Sequence, residues 1–330
     1  MNLLTSMRYL VALNEHRHFG RAAQACHITQ PALSNALRAL EEELGIVIVL
    51  RGRVFAGLTT EGRQVLATAL SMLKAEEALR QDLSAGAGQL KGQLRMAAVP
   101  TAMPMLTRFA ALLRAQHPGI TPVVLSMSSL ELENGLEDLS LDLALGYSER
   151  MHVAGAKGAR AARVQVWPQY QEHYYLLKPA ARHKSGLQKG KSMSWAEASK
   201  QSLCLLTPDM HNRLIVDEGF QAAGCNVSAA METNSVLTLI MAVSEGGLSS
   251  VLPGALVAIL GQEQNLCVHP LMKPQIHTPI AFLSQPVQAA TRALQAALAL
   301  LQTEQWQAQC LRFAGQLAQT VSVPKPKQKK

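Results

Sequence analysis

Apolar residues near the N-terminus recur at helical spacing. Leu3, Met7, Leu10 and Val11 fall three to four apart, which predicts a helix over residues 3–16. Gly20 opens a short second helix, "RAAQAC", in which Ala22 and Ala23 are small enough for a crossing helix. In "HITQPALSNALRALEEELG", Leu33, Leu37, Leu40 and Leu44 line one face of a third helix. Thr29 is its expected N-cap, Pro31 suits its first turn and Gly45 its stop. The opposite face carries Gln30, Ser34, Asn35 and Arg38. The acidic run Glu41–Glu43 lies at the far end of the same helix.

The pattern then changes twice. "IVIVLRGRVFAGLTTEG" holds two short apolar segments around a basic bend at Arg51 and Arg53, which predicts a hairpin. Residues 60–84 read as one long helix with an apolar stripe that includes Leu66, Leu70 and Leu73. That stripe has no evident partner nearby, so it predicts pairing with a second subunit. "SAGAGQLKGQ" is small and Gly-rich and reads as a hinge. Beyond it, strand and helix patterns alternate through "LRMAAV", "TPVVLS" and "DLALGY". The chain is expected to enter a second lobe near residues 164–166, through "HYYLLK", "SLCLL" and "SSVLP", and to return from Leu266 with one strand and a helix.

Composition narrows the partners. The chain has 330 residues, 48% of them apolar and 16% charged, which is enough for several packed domains. Its net charge of +8 favours anionic partners. Residues 1–92 carry ten Lys/Arg against eight Asp/Glu, and residues 321–330 carry four Lys and no acid. DNA binding by the N-terminal segment must therefore come from the placement of charge. The five cysteines are unclustered, which reads as reduced thiols and not as a disulfide frame or metal site. With no signal peptide and no membrane-length apolar run, a cytoplasmic location away from any membrane is expected. No Ser-His-Asp set, metal motif or phosphate loop is visible, so an enzyme is not expected, nor a metal or other cofactor.

Two short helices joined by a tight turn form a helix-turn-helix, whose second helix enters the major groove. Gln30 can read adenine, while Ser34, Asn35 and Arg38 can reach bases or phosphates, with Thr29 and Pro31 at the helix start. Arg51 and Arg53 at the hairpin bend can reach the minor groove or phosphates. At this point "HFGRAAQACHITQPALSNALRALEEELG", "LTTEG" and the long helix resemble LysR-type transcriptional regulators, with weaker matches at "LRMAAVPT", "LDLALG" and "SSVLP". The resemblance covers residues 2 to about 303. It departs at Asn35, where many relatives have Arg, Gln or His, and at Gly20, where a Ser or Thr cap is usual.

The resemblance implies an α/β protein. A winged helix-turn-helix (1–59) and a linker or dimerisation helix with hinge (60–92) would precede a two-lobed, periplasmic-binding-protein-like effector domain (93–304). Lobe I would hold 93–165 and 266–304, lobe II 166–265, and residues 305–330 would be a C-terminal extension. It also implies operator DNA as partner, a homo-oligomer (a dimer of dimers) and a small-molecule effector between the lobes. Strand-to-helix turns there carry Thr101, Ser128, Ser129, Thr207, His211, Asn234 and Ser235, residues suited to a small organic or inorganic anion at helix N-termini. Two other readings remain open. "HRHFGRAA" resembles the start of peroxide sensors of the same family, although Cys204 and Cys225 do not match their spacing. The other is an architectural DNA-binding protein without a ligand.

Overall fold

A computed structural model describes residues 2–51, 55–83, 90–149, 164–180, 187–260, 265–285 and 290–314. The start of the expected hinge, 84–89, Arg53 and the Lys-rich tail lie outside the described residues. Three helices begin the chain: α1 (Leu3–His16), α2 (Phe19–Ala25) and α3 (Gln30–Leu44). Thr29 Oγ1 accepts the Ala32 amide at the head of α3, and Gly45 ends it at φ 66°. Leu10, Leu13, Ala22, Ala23, Leu33, Leu37 and Leu40 make the core of this head. β1 (Val49–Arg51) and β2 (Phe55–Leu58) pair antiparallel as a wing. The cap of α2 is a correction: His18 Nδ1 accepts the amides of Gly20 and Arg21, so no hydroxyl is needed at Gly20.

α4 (Thr60–Leu83) is the long helix, and its stripe is also a correction. Leu66 is buried in the head's own core and Leu70 packs against it, so these two already have a partner within the chain. Arg8 of α1 holds Glu76 of α4 at 2.5 Å. Gly62 makes this packing possible, because a Cβ there would lie 2.2 Å from the carbonyl oxygen of Ile48. Among the residues of α4 whose side chains are described, the large apolar ones left exposed are Met72 and Leu79.

The rest is α/β. β3 (Gly92–Ala98) runs parallel to β4 (Ile120–Ser126) and β5 (Leu143–Tyr147). α5 (Met103–Gln116) and α6 (Ser129–Glu137) connect these strands. β6 (Gln165–Pro179) is 15 residues long and serves both lobes. Its residues 165–173 pair with β13 (His277–Ser284), and residues 174–179 pair with β11 (Ser250–Pro253) and β12 (Leu266–Met272). A second, parallel pair joins β9 (Cys204–Leu206) and β10 (Met231–Thr233), between α8 (His211–Ala222) and α9 (Val236–Ser244). Short elements complete this lobe: β7 (Gln188–Lys189), β8 (Met193–Ser194), α7 (Trp195–Ala198) and α10 (Gly254–Val257).

The lobe boundaries therefore move. By strand pairing the chain crosses between His173 and Tyr174, not near 164–166, and β12 still belongs to the second lobe, so the return lies at 273–276 and not at 266. One continuous strand of about 50 Å can serve two sheets, and its apolar pattern carries no mark of the change. The chain end moves as well. After α11 (Arg292–Leu301), α12 (Glu304–Phe313) packs into the first lobe rather than extending from it. Trp306 is fully buried, 5.0 Å from the ring of Phe109, and its indole N–H donates to Gln169 Oε1 at 2.6 Å.

Candidate DNA-reading face and interlobe cleft

The head presents α3 outward. Thr29, Gln30, Pro31, Asn35 and Arg38 are exposed and Ser34 is half-buried, while Leu33, Leu37 and Leu40 face in; Leu44, expected on that inner face, is exposed because the helix ends there at the Gly45 turn. The wing is held against α2 by an edge-to-face contact between Phe19 and Phe55 at 6.2 Å, with Arg17 over the Phe55 ring. Glu41 Oε1 accepts the amides of Ile48 and Val49 at 2.9 and 3.0 Å. This acid at the end of α3 thus fixes the wing, a role that its place in a run of three acids conceals. Arg51 begins the wing bend.

Between the lobes, the turns after β3, β4 and β9 meet. Val99, Pro100, Thr101, Ser128, Ser129, Tyr147, Met210, His211 and Asn212 line a small, partly enclosed cavity of about 10 Å³. That is room for roughly one water molecule. Thr101 and Tyr147 share a hydrogen bond at 3.1 Å, and Asn212 Nδ2 donates to the same Tyr147 hydroxyl at 3.3 Å. Thr101 comes from the first lobe and Asn212 from the second, so one buried hydroxyl ties the lobes together. The His211 ring stands edge-on to Tyr147 at 4.7 Å. Burial holds the Tyr147 hydroxyl far above its ordinary range, so it is un-ionised.

Two helix starts face this cavity. Ser128 caps α6 reciprocally with Glu131. The N-terminus of α8 has no side-chain cap. Its amides and partial positive charge are those of an anion site. Ser129 Oγ is buried without a hydrogen-bond partner among the described residues. Arg213 anchors the first turn of α8 by donating to Asp217, to Glu232 and to the Leu206 carbonyl.

The expected effector residues do not all converge. Thr101, Ser128, Ser129 and His211 line the small cavity, whereas Asn234 and Ser235 line a separate open groove of about 650 Å³ with Met103, Arg108 and Ile259. Pro100 borders both. Ser235 caps α9 by accepting the Thr238 amide. Thr207 lines neither space, and its buried hydroxyl has no partner among the described residues. Sequence reasoning does not find Tyr147 and Asn212. Tyr147 ends an apolar strand and so reads as core, and Asn212 reads only as the start of a helix.

The five thiols are free, and burial raises Cys204 and pushes Cys310 up to about 12. Among the described residues no three His, Cys, Asp or Glu side chains are grouped to hold a metal ion, and no helix is long and apolar enough to cross a membrane.

A winged helix-turn-helix followed by a linker helix and a two-lobed α/β domain defines a one-component regulator of transcription. Residues 4–63 match the model of the bacterial regulatory helix-turn-helix proteins of the lysR family, and residues 87–306 match the LysR substrate binding domain. The chain belongs to the LysR family of transcriptional regulators. It is 26% identical over 251 residues to the probable HTH-type transcriptional regulator LrrA of Synechococcus elongatus, covering 76% of this chain and 80% of that protein. It is 27% identical over 285 residues to a hydrogen peroxide-inducible genes activator of Pectobacterium carotovorum, covering 86% and 90%. A solved structure of a full-length OxyR variant from Pseudomonas aeruginosa is similar with a TM-score of 0.68 and 26% identity, over 94% of this chain and 98% of that one.

Proposed function

We propose that this regulator binds operator DNA as a homo-oligomer in the cytoplasm and answers a small anion bound between its lobes. DNA contact follows from the exposed face of α3 beside the wing. Assembly is supported by the exposed Met72 and Leu79 on α4, whose inner face is already used. The observation that carries the anion is the uncapped N-terminus of α8 facing Thr101 and Ser129 across the cleft. The cavity of about 10 Å³ is too small for an organic anion, so such an effector enters as the lobes part. The open groove that shares Pro100 offers room for an apolar body beside a charged head.

A thiol-based redox reading has less support in this chain. No cysteine lines the small cavity among the described residues, and burial makes Cys204 a poorer thiolate. The test is thermal stability in a panel of formate, acetate, nitrate, sulfate and phosphate, followed by operator footprinting with each hit. An anion that stabilises the parent but not Thr101→Val, and that shifts the footprint, supports the cleft. Equal stabilisation of both proteins, or a peroxide response that Cys204→Ser abolishes, overturns it.

A further inference from the structure

Glu172 is fully buried, and neither of its carboxyl oxygens has a hydrogen-bond partner among the described residues. It sits on β6 one residue before the pairing with β13 ends, at the point where the chain passes between lobes. Its neighbours two residues away on β6, Tyr170 and Tyr174, share its face by strand alternation, and both are buried. Tyr147 of β5 lies in one cross-strand row with Ile280 and Tyr170, so the cavity wall stands on the same sheet face as Glu172. Thr278 is opposite Glu172 on β13, but its hydroxyl is taken by Tyr174 at 3.1 Å.

No cation offsets this acid among the described residues. The groups around it are the phenols of Tyr147, Tyr170 and Tyr174, with His211 of α8 behind Tyr147 and Cys310 of α12 beside Tyr170. His173 and His277 lie on the other face of the same strands. An ionised carboxylate there would be buried without a counter-charge or a donor, which is strongly unfavourable. Burial alone pushes the Glu172 carboxyl up to about 8.

We propose that Glu172 is a proton-linked switch of the interlobe cleft: closed lobes hold its carboxyl as the neutral acid, and parting the lobes hydrates it and lets its proton pass to solvent. This rests on the cleft being the regulatory site. Closure and proton uptake then go together. A neutral Glu172 leaves an anion at the α8 N-terminus unopposed, whereas an ionised one repels it. Alkaline conditions therefore favour the open cleft, by up to about tenfold per pH unit until the carboxyl of the closed form itself titrates near 8, above which the effect levels off.

The experiment is hydrogen exchange of the full chain between about pH 7 and about pH 9, corrected for the intrinsic rate, in the parent and Glu172→Gln. His173, lowered by burial and by His277, and the raised tyrosines do not titrate in that window. In the parent, protection is expected to fall with pH in the segments holding Tyr147 and residues 210–216, which face each other across the cleft, and not in α1–α3. In Glu172→Gln it should stay flat. A parent profile that is flat, or one that Glu172→Gln reproduces, overturns the proposal. Infrared spectra of the parent alone cover the case in which the variant does not fold. A protonated-carboxyl band at pH 7 that disappears near pH 9 supports the switch, and its absence at pH 7 overturns it. Neither result depends on the anion panel with Thr101→Val, so failure of the cleft reading is separately visible.

Discussion

The ammonium of Lys74 on the linker helix lies 2.9 Å from a carboxylate oxygen of Asp142 and donates to the Leu141 carbonyl at 3.2 Å. Asp142 also accepts the Arg95 amide at 2.8 Å, so this contact is built into the start of β5. The loop it grips follows the C-terminal end of α6, and its Leu141 amide returns to the Gly135 carbonyl. The other end of α6 carries Ser128 and Ser129 of the small cavity. α6 and the loop that follows it thus connect the cleft to the linker. Lys74→Met keeps the side-chain stem and removes the charge. We expect a small stability loss, about 1 kcal/mol, because the pair is partly exposed. Hydrogen exchange should rise along residues 74–80 of α4 and not in α3. Unchanged exchange in α4 would show that the pair does not hold the linker.

Operator reading is expected to centre on Gln30, which is exposed at the first turn of α3. Gln30→Ala should cost roughly 1–3 kcal/mol on the preferred operator and little on random DNA. Equal losses on both would assign it to the backbone.

The linker helix should separate folding from assembly. Leu70 packs on the head's core, whereas Leu79 is 57% exposed. Leu70→Asp should therefore lower the melting temperature of the head itself. Leu79→Asp should leave that temperature unchanged and weaken dimers in sedimentation. Dimers that survive Leu79→Asp would move the interface off this face.

Gly62 is predicted to tolerate no side chain. The first turn of α4 lies on the Ile48 carbonyl, so the Cβ of Gly62→Ala has nowhere to go without a backbone shift. A destabilisation of about 1–3 kcal/mol is expected from such overpacking, read by chemical denaturation. A neutral or stabilising result would mean that α4 meets the wing less closely.

Stability should also report Glu172 without any ligand. Its folded carboxyl is raised to about 8 from the usual 4.5. The acid is neutral in both states below 4.5, so its contribution is most favourable there. As pH rises the unfolded chain ionises first, and stability declines until the folded carboxyl titrates near 8, above which the loss levels off. Glu172→Gln removes this decline. Its gain over the parent should grow between about pH 5 and about pH 8, to roughly a few kcal/mol. A gain independent of pH would show that Glu172 is ionised in the folded chain.

Local rules make much of this protein legible in its sequence. The Thr29 cap, the Gly45 stop and the outward face of α3 follow from hydrogen bonding and periodicity within a few residues of each position. The winged head, the long helix and the alternating α/β pattern follow likewise. The tertiary structure alone decided what those elements meet. It put Leu66 and Leu70 on the head's own core, moved the lobe crossing to residues 173–174, and packed Trp306 against Phe109. It also divided the expected cleft residues between a small cavity and an open groove, tied the lobes through Tyr147, and left Glu172 buried without a partner among the described residues. The reason is physical. Propensity and capping act along the chain, whereas burial, strand pairing and the desolvation of a charge are set by residues more than a hundred positions apart, such as Glu172 and Thr278.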